Sequence, residues 1–194
     1  MFREVVSRSF YGTSSATTDS GAYPVLRMGN MVDGGLDFRN LTFIDLSEED
    51  FKKIELKRGD ILLNRTNSID LVEKISLFEA AGKYVAASYL VIFRLKTDLV
   101  IPKFCNYLLN SDAYQYSIKG LATRAISQAN INPTTFQAKL TISFPSLAEQ
   151  QRVTDCLSFL DELITAHSQK INALKAHKKG LMQQLFPTLD EAHR

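Results

Sequence analysis

Asn64, Arg65, Thr66, Asn67 and Ser68 stand in a row in the segment GDILLNRTNSIDLVEK (59–74), directly after an apolar run. Arginine and asparagine carry paired hydrogen-bonding groups that match guanine and adenine edges, and serine and threonine hydroxyls suit phosphate oxygens. A second segment, GLATRAISQANINPTTF (120–136), repeats these types with Thr123, Arg124, Ser127, Gln128, Asn130 and Asn132, and Lys119 stands just before it. A third, FYGTSSATTDSGAYPVLRMGNM (10–31), adds Thr13, Ser14, Ser15, Arg27 and Asn30. Each segment alone reads more simply as a solvated turn, because Asn, Ser and Gly favour turns for conformational reasons. Three of them on one chain turn the reading toward a nucleic-acid surface.

The charge pattern bears on that surface. The formal net charge of the 194 residues is only +2, low for a chain that grips DNA alone. Six acids (Asp45, Glu48, Glu49, Asp50, Glu55, Asp60) crowd one stretch, whereas no acid stands between Asp112 and Glu149, where Lys119, Arg124 and Lys139 lie. Such segregation can make one basic face on a nearly neutral protein, and chance clustering explains it equally well.

Catalytic chemistry is thinly represented. There is no Gly-rich phosphate loop and no H-E-x-x-H, and NINPTTF (130–136) lacks the second proline of an amino-methyltransferase motif. GTSSATTDSG (12–21) offers hydroxyl nucleophiles, but His167, His177 and His193 all fall in or after the C-terminal helical region, leaving no base nearby. Cys105 and Cys156 are far apart and fit neither a metal-ligand spacing nor a disulfide framework. No catalytic or metal-ligating residue and no bound cofactor is therefore expected. An N-terminus without an apolar signal core and the absence of a ~20-residue apolar run point to a cytoplasmic protein with no membrane segment.

The elements that would position these segments form an α+β domain over residues 1–145. Strands are predicted at 23–28, 41–46, 60–65, 74–79, 87–95 and 140–144 from Val, Ile, Leu, Phe and Tyr runs bounded by Gly, Asn or Asp. Helices are predicted at 47–54, capped by Ser47, and at 102–118, opened by Pro102.

Beyond Pro145 the texture changes. From Leu147 to Phe186 there is no proline and one glycine, Gly180. Val153, Leu157, Leu160, Ile164, His167, Ile171, Leu174, Lys178, Leu181 and Leu185 follow one another by alternating steps of four and three. That 3.5-residue repeat predicts a coiled-coil seam on a helix of about 60 Å, and a long core helix is the alternative. A domain of about 145 residues is only some 30–35 Å across, so the helix needs a partner helix from another copy or another protein. His167 and Lys178 interrupt the seam as register devices would. With two copies crossing antiparallel near residue 169, His167 would lie near the partner's Ile171, and Lys178 near the partner's Leu160 and Asp161.

The tail PSLAEQQRVTDCLSFLDELITAHSQKINALKAHKKGLMQQLFP (145–187) resembles the conserved helical region of type I restriction–modification specificity subunits. The features shared are Pro, a short gap, Glu-Gln, an apolar helix with Leu-Asp in its middle, and Leu-Lys-x-x-Lys-x-Gly-Leu-x-Gln-x-Leu-Phe at its end. YGTS, YPVLRMGNM, GDILLNRTNS and ISQANINPTTF are similar to segments of that family's target recognition domains. The resemblance implies a recognition domain (1–145), a conserved dimerisation or spacer helix (146–187) and a short tail (188–194). It also implies double-stranded DNA as ligand, and a modification subunit using S-adenosylmethionine and a restriction subunit using ATP as partners. Full subunits of that family carry two recognition domains and two antiparallel helices, and so read two halves of an interrupted target.

This chain departs from the family pattern in having one domain and one helix, which points to a half-subunit or a fragment, pairing with itself or with another half. It also carries Glu73 where the family often has Leu-Val-Gly-Lys. A two-fold homodimer would read a palindromic, bipartite site. A non-catalytic assembly protein that docks on partner subunits without reading DNA is the competing expectation.

Overall fold

The computed structural model describes residues 1–67, 74–124 and 129–186, the side chains of Asn67 and Arg124 apart. After a 3-10 turn (Phe2–Glu4) come β1 (Val6–Tyr11), β2 (Tyr23–Leu26), a second 3-10 turn (Met28–Asn30), β3 (Met31–Val32), β4 (Gly35–Leu36) and β5 (Thr42–Ile44). Helix α1 (Glu48–Ile54) leads to β6 (Ile61–Asn64), β7 (Thr66–Asn67), β8 (Ile75–Leu77), β9 (Val85–Ala86) and β10 (Leu90–Leu95). The remainder comprises α2 (Pro102–Asn110), α3 (Asp112–Lys119), β11 (Thr123–Arg124), β12 (Ala129–Asn130), α4 (Pro133–Lys139) and α5 (Leu147–Leu185). The architecture is thus mixed α+β followed by a long helix, as the sequence predicts. Two compact units divide it, Met1–Gln151 and the chain from Arg152 onward.

The central sheet runs β1-β10-β6-β8, all antiparallel. Its inner strands read ILLN and LVIFRL because both faces are covered, so successive side chains bury in opposite directions. Ile61, Leu63, Val91, Phe93 and Leu95 join Phe2, Phe104, Leu109 and Phe136 on one side. Leu62, Leu90 and Ile92 join Leu26, Met31, Leu56 and Phe78 on the other. Phe2, Phe93 and Phe136 meet as one aromatic group with centroids 5.2–5.5 Å apart, which anchors the N-terminal turn and α4 to the sheet. Two further three-stranded sheets, β5-β2-β9 and β11-β12-β7, and the hairpin β3-β4 surround this core.

Among the described residues one ion pair is inside. Asp60 is 1% exposed, and Arg94 grips it with Nε to Oδ1 at 2.8 Å and Nη2 to Oδ2 at 2.7 Å. The Lys57 amide donates to Asp60 Oδ2 at 2.8 Å, and Arg94 also donates to the Glu55 carbonyl at 3.0 Å. Both carboxylate oxygens are thus hydrogen-bonded, a condition that makes a buried pair tolerable.

Four expectations change. The 102–118 helix is two helices, because Ser111 takes an extended backbone (ψ 149°) and turns its hydroxyl to the Leu108 carbonyl at 2.8 Å. Residues 140–144 form no strand: Leu140 and Ile142 bury alternately, but the Leu140 carbonyl accepts from Phe2 N–H instead of joining a ladder. β1 was absent from the expected strands because Ser7, Arg8 and Ser9 make it polar, which an edge strand permits. α4 was likewise absent, although Asn132 caps it and Pro133 opens it.

The first turn of α5 belongs to the same compact unit as the sheet. Gln150 is fully buried there, accepting from the Ile101 amide at 2.9 Å and donating to the Leu99 and Pro145 carbonyls at 3.2 and 3.0 Å. The Gln of the family-like Glu-Gln thus has a structural task, closing backbone groups that would otherwise be buried without partners.

Candidate nucleic-acid interface

The polar segments meet at one end of the central sheet. Register places Tyr11 opposite Val91, Val91 opposite Leu63, and Leu90 opposite Asn64, so β1 and β6 leave the sheet where β10 enters it. Beyond that line, Gly12 N–H reaches the Leu90 carbonyl at 3.4 Å and Thr13 N–H the Ala86 carbonyl at 2.7 Å. Ala87 N–H donates to the Leu26 carbonyl at 2.9 Å, bringing the exit of β2 alongside. The approach is so close that a Cβ on Gly12 would sit 1.9 Å from the Ala86 oxygen, so only glycine fits there.

Arg65 links the core sheet to the outer ribbon. Its N–H donates to the Tyr89 carbonyl at 3.2 Å, and its carbonyl accepts from Ile131 N–H at 2.8 Å. The ribbon then pairs Thr66 with Asn130, Asn67 with Ala129, Thr123 with Asn130 and Arg124 with Ala129. The Arg65 guanidinium lies over the Tyr11 ring, 5.2 Å from its centroid. Tyr89 also reaches the β2 exit: its hydroxyl bonds the Met28 backbone near Arg27. Burial raises the Tyr89 pKa, with the Met28 bond and the Arg27 charge opposing that rise.

This one end therefore gathers Thr13, Arg27, Asn64, Arg65, Thr66, Asn67, Thr123, Arg124 and Asn130, with Ser14 and Ser15 following exposed. Two of the asparagines sit inside rather than on the surface. Asn30 is 4% exposed, its Oδ1 accepting from Arg27 N–H at 2.9 Å and its Nδ2 donating to the Asp37 carbonyl at 2.9 Å. Asn64 is 0% exposed. Both are corrected to parts of the scaffold, because a buried amide has no edge to offer a base. Asn132 is exposed but spends its carbonyl oxygen on the Thr134 and Thr135 amides as the cap of α4. Lys119 is exposed in the last turn of α3, on the approach to β11. Ser68, Ser127, Gln128 and Glu73 lie outside the described residues.

Tyr11 and Tyr89 were not singled out in the sequence. A tyrosine beside a strand reads as core, and for Tyr11 only the contact with Arg65, between β6 and β7, distinguishes it. Arg27 and Arg65 bring positive charge to this end, which favours an anionic ligand. Among the described residues no three His, Cys, Asp or Glu side chains come together to hold a metal, and no helix is long and apolar enough to cross a membrane.

On α5, taken by itself, most of the apolar seam is open in a single chain: Leu160, Ile164, Ile171, Leu174 and Leu185 are 47–71% exposed. His167 and Lys178 are exposed in the same row, and Leu157 is half-buried. Phe159, Leu163, Met182 and Phe186 are also exposed, so the apolar face is wider than a two-position stripe.

The chain is thus an α+β domain with a polar sheet end, followed by a helix with an open heptad face. Residues 5–176 match the type I restriction modification DNA specificity domain, and the chain belongs to that family. It is 31% identical over 176 residues to the putative type I restriction enzyme MjaX specificity subunit of Methanocaldococcus jannaschii, covering 90% of this chain and 41% of that protein. It is 21% identical over 189 residues to the type I restriction enzyme EcoKI specificity subunit of Escherichia coli, covering 95% and 40%. The crystal structure of the type I restriction–modification S subunit from M. genitalium shares the fold, with a TM-score of 0.66 at 20% identity over 98% of this chain and 46% of that one. The chain thus spans about two fifths of the length of the curated relatives it matches.

Proposed function

We propose that this chain reads one half of a bipartite DNA target and directs modification and restriction subunits of a type I system to it. It supplies the address, and its partners supply the chemistry, using S-adenosylmethionine and ATP. The observation that carries this reading is the convergence of three polar segments, separated by up to ~100 residues of sequence, on one sheet end around Arg65.

With a net charge of +2, the chain alone holds duplex DNA weakly. The expected dissociation constant at physiological salt is about 1 μM or weaker, with log K falling linearly as log salt rises. Fluorescence anisotropy across a salt series checks this. Nanomolar, salt-insensitive binding by the isolated chain would contradict it.

The open face of α5 pairs with a second helix, in an antiparallel homodimer or with another half-subunit. At about 1.5 Å per residue the helix is near 60 Å long, against roughly 34 Å per DNA turn, so the two halves read would be separated by an unread spacer. Leu160→Asp with Leu174→Asp places charges in the seam and is expected to yield a monomer by light scattering, with the circular dichroism of the first domain retained. An unchanged dimer would remove the seam from this account.

A further inference from the structure

Arg65 stands out among the gathered residues in being half-buried. Its Nε is buried with no hydrogen-bond partner, and among the described residues its guanidinium meets neither an acceptor nor a carboxylate. A guanidinium carries five donors and no acceptor, and an enclosed donor without an acceptor costs stability. The side chain is nonetheless held in place. Its backbone is bonded on both sides, to Tyr89 and Ile131, and its Cζ lies over the ring of Tyr11, 5.2 Å from the centroid, that ring being fixed opposite Val91 and 48% exposed.

We propose that Arg65, oriented by Tyr11, reads a guanine and thereby fixes one G·C position of the half-site; the proposal rests on the DNA-reading function proposed above. The chemistry selects the base. A donor-only fork needs two adjacent acceptors, and in the major groove guanine presents them as O6 and N7, whereas adenine offers one acceptor beside a donor and thymine one acceptor beside a methyl group. A guanidinium fork also meets phosphate oxygens, and the motif readout below separates that contact from a base contact. Tyr11 is then a positioning residue, acting through its ring and not its hydroxyl.

The test co-expresses the wild-type chain, Arg65→Ala, Tyr11→Ala and Tyr11→Phe with the modification subunit, and maps methylated adenines by sequencing. The wild type is expected to give a motif with guanine required at one position of the half-site. Arg65→Ala relaxes that position alone, its discrimination falling about 10- to 100-fold. Tyr11→Ala relaxes the same position, and Tyr11→Phe keeps it. A uniform fall in methylation with the motif unchanged would make Arg65 a phosphate contact and overturn the proposal, as would an unaltered motif at unaltered level. If Arg65→Ala abolishes methylation altogether, the wild-type complex is offered duplexes with 7-deazaguanine at each motif guanine. Weakened binding at a single position supports the proposal, and no weakening at any position overturns it. Failure of the wild-type chain to direct methylation at all would instead remove the underlying reading, and with it the proposal.

Discussion

An Arg65→Glu chain is expected to lose target methylation by about 100-fold or more while still forming its complex with the modification subunit. Two effects combine. The substitution removes a bidentate donor worth roughly 1–3 kcal/mol, and it sets a carboxylate among phosphates, with each 1.4 kcal/mol worth a factor of ten. Since Arg65 joins Tyr89 and Ile131 through its backbone, those bonds survive the side-chain change. The measurement is methylation of the wild-type motif alongside co-purification of the partner. Wild-type methylation by Arg65→Glu, and by the same substitution combined with Arg124→Glu, would favour the assembly reading, in which the domain docks on partners without touching bases. Loss of both methylation and co-purification would indicate an interface with protein instead.

The second large effect is on stability. Asp60→Ala is expected to cost about 3–5 kcal/mol, because it strips the Arg94 guanidinium of its carboxylate in a place where water replaces it poorly. It also leaves the Lys57 amide without its acceptor. Against a typical margin of 5–15 kcal/mol this removes a large share of the domain's stability. Urea denaturation of the wild type and variant gives the difference. A loss under about 1 kcal/mol would mean that the pair is solvated and not structural.

These two residues show where the sequence is legible and where it is not. Arg65 could be picked out by chemical type and by its place after an apolar run, and the structure puts it at the join of two sheets. Asp60 was counted among six clustered acids, and nothing in that count separates the one acid inside from the five others. Burial is decided by which strand pairs with which, and Arg94 stands 34 residues away on β10. The same limit acted on Asn30 and Asn64, whose polar type suggested the surface while tertiary packing took them in. β6 and β10 were readable because covering both faces writes an unbroken apolar run. β1 was not, since an edge strand needs apolar residues on few positions. The long helix α5 was legible because helical periodicity is local information, carried without reference to the rest of the fold.

The central claim is that this chain specifies a DNA half-site, and the most direct measurement is sequencing-based mapping of methylated adenines in cells expressing the chain with an active modification subunit. The expected result is a bipartite motif with an unread spacer, with identical inverted halves if the chain pairs with itself. A methylation pattern the same as that of the modification subunit without the chain, under conditions where the two co-purify, would contradict it.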